Sequence, residues 1–306
     1  MNWTTYHKAS SVAEALSLLE RSAGRGRVIA GGTDLVIQLH RRTLNAEVLV
    51  DITGIDDLRR IESHEGWILI GAAVTHTEVA ASPLIRRHAR VLSDGCARVG
   101  SLQIRNMATL MGNVINAQPA ADGAVPLTAL EAEIRVVSRG AERWIPMEEA
   151  YLGVGRSAVD ATGELAAQIR FRIPDNDGRA GFFRVSRRKA LALPVLNGAV
   201  LLRPDAALTR IEKARIALGP VAAKPFRARG TESYLESGPI SPDAIHEAAR
   251  IAAEEANPRT SRIRGGERYR REMIRLQMTR LLQDLLAFPQ APAGMGAPTP
   301  PGGASR

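Results

Sequence analysis

The apolar positions of residues 12–22 (Val12, Ala13, Ala15, Leu16, Leu18, Leu19) fall on one stripe at helical spacing, which predicts a helix. Ser10 or Ser11 is placed to cap it, and Gly24 and Gly26 end it. Residues 27–30 then read as a short strand, Gly31-Gly32 as a turn, 34–40 as the start of a helix, and 47–52 as a second buried strand. This β-turn-α-β unit makes a first small lobe. Residues 58–63 and 67–72 suggest two strands joined around Glu65-Gly66. Thr75 can cap a helix beginning near Glu78, and Ser82-Pro83 starts another, because proline suits a first helical turn. Residues 104–116 hold a second glycine turn, 124–130 look helical, and 133–137 and 169–173 read as strands. Together these predict an α+β middle lobe.

The loop Asp175-Asn176-Asp177-Gly178-Arg179 marks a domain boundary. Beyond it, residues 181–185, 195–202 and 210–218 predict three strands of an antiparallel sheet, covered by helices over 231–236, 242–256 and 268–286. The stretch 287–306, rich in Pro, Gly and Ala, is expected to be disordered. The resulting division is 1–176, with lobes of about 1–57 and 58–176, then 180–286, then the tail. A length of 306 residues suits such a two- or three-domain chain.

Composition changes this picture mainly by exclusion. No apolar run reaches the roughly 18 residues of a membrane span. The opening Met1-Asn2-Trp3-Thr4 lacks a basic-then-apolar leader, so a soluble, cytoplasmic protein is expected. Cys96 is the single cysteine, which forbids an internal disulfide and an internal iron–sulfur cluster, since a cluster takes about four thiolates. The six histidines show no close metal-ligand spacing, and His76, among small polar residues, reads as a surface or helix-entry residue. A net charge of +9, concentrated near the C-terminus, admits a nucleic-acid partner. With only 4% aromatic residues for stacking, the better reading is a solvated basic helix face or a docking face for an acidic partner.

The candidate chemistry lies in the two glycine turns. Val28, Ile29, Ala30, Gly31, Gly32, Thr33, Asp34 and Leu35 form a strand–Gly-Gly–helix connection. Glycines admit positive φ and remove the Cβ, so successive N–H groups can converge on an anion. Thr33 adds a hydroxyl, while Asp34 fits better as a helix cap than beside a phosphate. Many glycine pairs serve only to turn the chain, and the third glycine and distant acid of the dinucleotide fingerprint are missing here. The second turn, Thr109-Leu110-Met111-Gly112-Asn113, is harder to explain as packing, and Asn113 and Asn116 supply amides that can orient a polar ligand. Asp122, in an otherwise apolar segment, either accepts from ribose or ribityl hydroxyls or caps the helix that follows, capping being the slightly better fit.

In this order the residues resemble the FAD-binding medium subunit of molybdenum hydroxylases, the xanthine dehydrogenase and carbon monoxide dehydrogenase family. The resemblance runs from about Tyr6 to Leu286. Its markers are Ala30-Gly31-Gly32-Thr33-Asp34-Leu35, Leu49-Val50-Asp51-Ile52, Ile70-Gly71-Ala72-Ala73-Val74-Thr75-His76, Val99-Gly100-Ser101-Leu102-Gln103-Ile104-Arg105-Asn106 and Pro119-Ala120-Ala121-Asp122. Ser82-Pro83-Leu84-Ile85, Gly163-Glu164-Leu165, residues 183–188 and Tyr269-Arg270-Arg271-Glu272-Met273 complete them.

The resemblance implies a two-lobed FAD-binding domain of the PCMH type and a small C-terminal flavoprotein domain. It implies that residues 28–35 carry the FAD diphosphate through backbone amides, that Thr109, Gly112 and Asn113 form a second clamp, and that Asp122 holds a cofactor hydroxyl. It places Arg188 or Lys189 near the flavin. No catalytic side chain and no metal ligand is expected on this chain. Molybdopterin and two [2Fe–2S] clusters are expected on partner subunits, a large molybdenum subunit and a small iron–sulfur subunit in a dimer of heterotrimers, with electrons leaving to an external acceptor. One departure is Met111-Gly112 in place of a glycine pair: either the thioether lies beside the cofactor, or Met111 points into the core and Gly112 alone makes the approach, the reading preferred here. Two other functions stay open on the same residues, a self-sufficient FAD-dependent oxidase or reductase and a scaffold subunit that has lost flavin.

Overall fold

Three short parallel strands open the chain: β1 (Thr5–Lys8), β2 (Gly26–Ile29) and β3 (Val48–Asp51), in the order β1-β3-β2. The computed structural model describes residues 3–174, 178–188, 190–261 and 265–287. Helix α1 (Val12–Arg21) is capped by Ser11, whose Oγ accepts from the Glu14 N–H at 3.1 Å, and it buries Ala15, Leu16, Leu18 and Leu19. Helix α2 (Leu35–His40) lies on the other side, over a small cluster of Ile29, Leu39, Ala46 and Leu49. Asp34 stands before α2 but makes no side-chain capping bond, which corrects its expected role.

The second lobe begins with β4 (Ile61–His64) and β5 (Trp67–Gly71). They turn through Glu65 and Gly66, both with positive φ, the geometry that follows the twist of a hairpin. Residues 56–59 form a 3-10 turn, so the first of these strands starts later than the sequence predicts. Six helices follow: α3 (His76–Ala81), α4 (Pro83–His88), α5 (Arg90–Ala97), α6 (Leu102–Met107), α7 (Leu110–Ile115) and α8 (Ala124–Ala129). Thr75 caps α3 in a reciprocal capping box with Glu78. The chain then returns through β6 (Glu133–Ser138), β7 (Ala141–Pro146), the small pair β8 (Tyr151–Gly153) and β9 (Arg156–Ser157), and β10 (Leu165–Arg172).

The large sheet has the order β4-β5-β10-β6-β7 and is antiparallel throughout. Alternation puts Ile68, Ile70, Ile134, Val136, Ile169 and Phe171 in the main core. Register pairs them directly, Ile169 with Ile70 and with Ile134. The opposite face is closed by a cation–π ladder: the Arg170 guanidinium lies 3.7 Å from the Trp144 ring centroid and 4.4 Å from that of Trp67.

The C-terminal domain is the four-stranded antiparallel sheet β11 (Arg179–Val185), β12 (Leu196–Pro204), β13 (Ile211–Gly219) and β14 (Phe226–Arg227), packed by α9 (Arg229–Ser237), α10 (Pro242–Glu255) and α11 (Glu267–Leu286). It holds a separate core that includes Leu196, Val200, Ile216, Ile274 and Leu282. The predicted three strands are present, with short β14 added at the edge. Helix α8 packs on β12 and β13 and so joins the two domains. Of the predicted boundary loop, 175–177 lie outside the described residues, as does the predicted tail apart from Ala287.

Candidate functional site

The chain leaves β2 at Ile29 and runs through Ala30, Gly31, Gly32, Thr33 and Asp34 into α2. A Cβ at Gly31 would stand 2.0 Å from the Met107 carbonyl oxygen and 2.8 Å from the Ala108 Cα, so only glycine lets this loop touch the 107–108 backbone. Gly32 turns with φ +67°, a value glycine adopts without strain. The Gly32 and Asp34 carbonyls accept from the Val36 and Gln38 N–H groups at 2.9 and 3.0 Å. Among the described residues, the N–H groups of Gly31, Gly32, Thr33 and Asp34 donate to no protein acceptor. Four successive unspent donors need a partner from outside the chain.

The second segment is tied to the start of α3 by an antiparallel bridge between Thr75 and Thr109, with His76 N–H donating to the Ala108 carbonyl at 3.0 Å and Leu110 N–H to that of Val74 at 3.1 Å. Thr109 caps α7, its Oγ1 accepting from the Gly112 N–H at 3.0 Å. The predicted second glycine turn is therefore a helix start, with Gly112 inside α7. Asn113 Oδ1 accepts from the Gly123 N–H at 3.3 Å, while its amide NH2 has no protein partner among the described residues. Gln38 Nε2 donates to Asn116 Oδ1 at 3.3 Å and ties the small lobe to the second segment.

These segments wall a groove of about 440 Å³, lined by Val28, Ile29, Ala30, Gly31, Gly32, Thr33, Asp34, Leu35, Thr109, Gly112 and Asn113. Eleven of the twelve residues singled out from sequence thus come together, across more than seventy positions of chain. A third wall escaped the sequence reading: Gly155, Ser157, Val159, Asp160, Ala161 and Thr162, just before, on and after β9. Asp160 organises it by accepting from the Thr162 N–H at 3.0 Å and its hydroxyl at 2.7 Å. Among the described residues, Arg27 is the one Lys or Arg in the lining, so a phosphate here would rest on backbone donors rather than on side-chain cations.

Asp122 is elsewhere. It lies buried between the domains, accepting from Arg184 Nε at 3.0 and 3.1 Å and from Asn197 Nδ2 at 2.7 Å. Burial pushes its carboxyl up to about 6, against the pull of Arg184. It neither lines the groove nor caps α8, whose N-cap Gly123 receives no side-chain bond. Arg184 also donates to the Ala192 carbonyl, so one guanidinium joins Asp122 to the loop after β11. Arg188 is exposed, bonds the Leu191 carbonyl and does not line the groove; Lys189 lies outside the described residues.

Met111 is 4% exposed and belongs to the main core, as the preferred reading has it. His76 needs correction. It is the first residue of α3, as a helix-entry residue would be, but it is fully buried in the floor of the groove. Neither ring nitrogen has a hydrogen-bond partner, and burial with nearby Arg105 lowers its pKa to about 4, so it is neutral at pH 7. Its place in the marker stretch 70–76 was the available signal. The glycine cradle, the free amides and the orphaned imidazole together fit a long ligand with a diphosphate bridge. No metal-holding group of acidic, Cys and His side chains occurs among the described residues.

Residues 2–175 match the family model of the FAD binding domain in molybdopterin dehydrogenase, and residues 181–285 that of the CO dehydrogenase flavoprotein C-terminal domain. The xanthine dehydrogenase FAD-binding subunit of Escherichia coli O157:H7 is 26% identical, over 94% of this chain and 97% of its own. The nicotinate dehydrogenase FAD-subunit of Eubacterium barkeri is 30% identical, over 85% of this chain and 88% of its own. The solved carbon monoxide dehydrogenase of Hydrogenophaga pseudoflava, in a form lacking the Mo-pyranopterin moiety of its cofactor, matches with a TM-score of 0.86 at 25% identity, covering 93% of this chain and 97% of that one. With both of its domains matched in order, this chain belongs to the FAD-binding medium subunits of the xanthine dehydrogenase and carbon monoxide dehydrogenase family.

Proposed function

We propose that this chain is the electron-output subunit of a multi-subunit molybdenum hydroxylase. It stands between [2Fe–2S] clusters on a small partner subunit and an external acceptor, with the molybdenum centre on a large partner subunit. When bound, FAD supplies a redox centre that takes electrons singly and releases them singly or in pairs. The chain's own residues bind and orient it. Val28 to Leu35 hold the diphosphate through backbone amides, and Thr109, Gly112 and Asn113 clamp it from the facing helix. Asp122 acts at one remove, by fixing Arg184 and with it the loop after β11.

The observation that carries the reading is the run of four unspent amides, Gly31 to Asp34, closed against the 107–108 backbone. The placing of the clusters rests on the lone Cys96, which is fully buried and whose thiol is pushed far up by burial. A chain with one inert thiol can ligate no [2Fe–2S] cluster. Among the described residues the one imidazole in the groove, that of His76, is neutral and buried, which supports a reading in which acid–base chemistry belongs to the large subunit. The working division is an FAD domain over 1–176 with lobes meeting near 57 and 58, and a second domain over 180–286. No described helix is long and apolar enough to cross a membrane, and the proposed setting is a cytoplasmic dimer of heterotrimers.

The test is the visible absorption spectrum of the chain purified alone, with the flavin identified after denaturation. Stoichiometric FAD, with no turnover until iron–sulfur and molybdenum subunits are added, is the expected result. A colourless chain that also fails to take up added FAD refutes the site; turnover of an organic substrate by the flavin-loaded chain alone refutes the subunit role.

A further inference from the structure

His76 is a buried titratable side chain that the proposed grip on the diphosphate leaves unused. Its backbone is fixed, with its N–H on the Ala108 carbonyl at 3.0 Å, in the same 107–108 segment that Gly31 touches. Its ring is fully buried beneath the groove and neither nitrogen has a partner. A buried donor without an acceptor is destabilising, and native folds keep few of them.

Gly123 shows what the ring faces. A Cβ built there would stand 3.4 Å from His76 Cε1, the carbon between the two ring nitrogens, and 3.0 Å from Asn113 Oδ1. The nitrogen-bearing edge of the imidazole and the Asn113 amide therefore lie side by side over a residue with no side chain to separate them. The φ of Gly123 is -83°, open to any residue, so its bareness provides space rather than an unusual backbone. Asn113 Oδ1 accepts one bond, from the Gly123 N–H at 3.3 Å, and an amide oxygen has lone pairs for two. The NH2 of the same amide is unpartnered among the described residues, and Asn113 lines the groove. The imidazole is neutral at pH 7, its pKa lowered to about 4 by burial and by Arg105, so it has one N–H to give. An unused donor, a half-used acceptor and a free NH2 thus stand next to one another at the groove.

We propose that His76 is a positioning residue for the cofactor: when FAD fills the groove, the imidazole N–H donates to Asn113 Oδ1 and holds the Asn113 NH2 toward a cofactor oxygen. The proposal rests on the reading that the groove takes FAD. An amide free to rotate offers a ligand either its oxygen or its NH2, and pinning the oxygen decides which. The ring needs no opening to solvent for this, in agreement with its complete burial. Polar contacts that are long or unmade in an empty site commonly close when the ligand arrives.

The experiment is a double-mutant cycle on FAD affinity in the full chain, read by flavin fluorescence, with His76→Phe, Asn113→Ala and the pair. His76→Phe is expected to weaken FAD about three- to tenfold, and Asn113→Ala about tenfold, the range of one neutral hydrogen bond. In the Asn113→Ala background the further change at His76 is expected to alter affinity by less than about twofold, because its target is gone. A ring that only fills space would weaken binding equally in both backgrounds. His76→Gln, which returns an N–H donor at similar reach, is expected to recover most of the loss. If His76→Phe does not fold, the ring N–H proton of the 15N-histidine-labelled chain decides: it is expected to shift downfield on FAD addition in the unmodified chain and not in Asn113→Ala. Additive losses, unchanged affinity in His76→Phe, or a ring signal that moves equally without Asn113 would overturn the proposal while leaving the FAD site standing. Failure of the unmodified chain to bind FAD would overturn both.

Discussion

Replacing Gly31 with alanine tests the groove at its narrowest point. The new methyl would stand 2.0 Å from the Met107 carbonyl oxygen and 2.7 Å from the carbonyl carbon, where ordinary contact begins at 3.4 Å. Both neighbours are backbone, so no side chain can swing aside, and the 30–34 loop must back away from 107–108 by about an ångström or more. Gly31 does not have positive φ, so the cost is steric rather than conformational. Overpacking of this kind costs about 1–3 kcal/mol. If that cost falls on the closed, ligand-holding arrangement, FAD affinity drops roughly ten- to hundredfold. Gly32→Ala is the matched comparison: its φ is +67°, but a methyl there meets only the Ile29 and Val36 side-chain tips at 3.1 and 3.3 Å. Its penalty is the left-handed backbone, about 1–2 kcal/mol, borne by free and loaded protein alike. The assay is a flavin-fluorescence titration of each variant, with circular dichroism to verify the fold. Gly31→Ala binding FAD within twofold of the unmodified chain would refute the idea that this contact sets the groove.

Asp122→Asn leaves Arg184 buried without its counter-charge, since the two side chains are 6% and 5% exposed; thermal unfolding should show a loss of about 3–5 kcal/mol. The Asp122 carboxyl titrates near 6 in the fold against 3.8 free, so the folded chain holds the extra proton between those values; its contribution falls as pH rises from about 4 to 6, a slope the Asn variant should lack in urea midpoints. His76 has the opposite sign: lowered from 6.5 to about 4, it is protonated first in the unfolded chain, so stability is lost as pH falls through that window, and His76→Phe should flatten that limb. Met111→Ala should cost about 2–5 kcal/mol of stability through a core cavity while leaving FAD affinity unchanged, and tighter flavin binding would show that the thioether touches the cofactor after all.

The features legible in the sequence were those with a local signature. Strand, glycine pair and helix follow one another over 26–40, and Thr75 and Ser82 announce their helices because capping acts over three residues. Strand β1 left no trace, because all four of its residues are exposed and no alternation betrays it. Gly112 looked like a turn because glycine is permissive; that Thr109 would instead start a helix there depends on the bridge to Thr75, more than thirty residues away. The wall at 155–162 carries no motif and reaches the groove only through the β8–β9 excursion. Asp122 shows the same limit most plainly. An acid in an apolar segment signals a fixed partner, but nothing local names Arg184, sixty-two positions on and in the other domain.

Among the described residues, helix α2 and the loop before it rest on a small cluster of four buried apolar residues with Trp3, Leu35 and Leu44 partly buried against it, whereas the α1 side of the same sheet merges into the main core. That wall of the groove is the part of the lobe with least to hold it, and its free amides are the ones the cofactor would occupy. Cofactor supply and chain turnover are then linked by mass action: a ligand at a hundred times its dissociation constant adds about 2.7 kcal/mol against opening. Residues 30–46 are then the expected first place for this chain to open without flavin, and their protection from a protease should rise with FAD concentration.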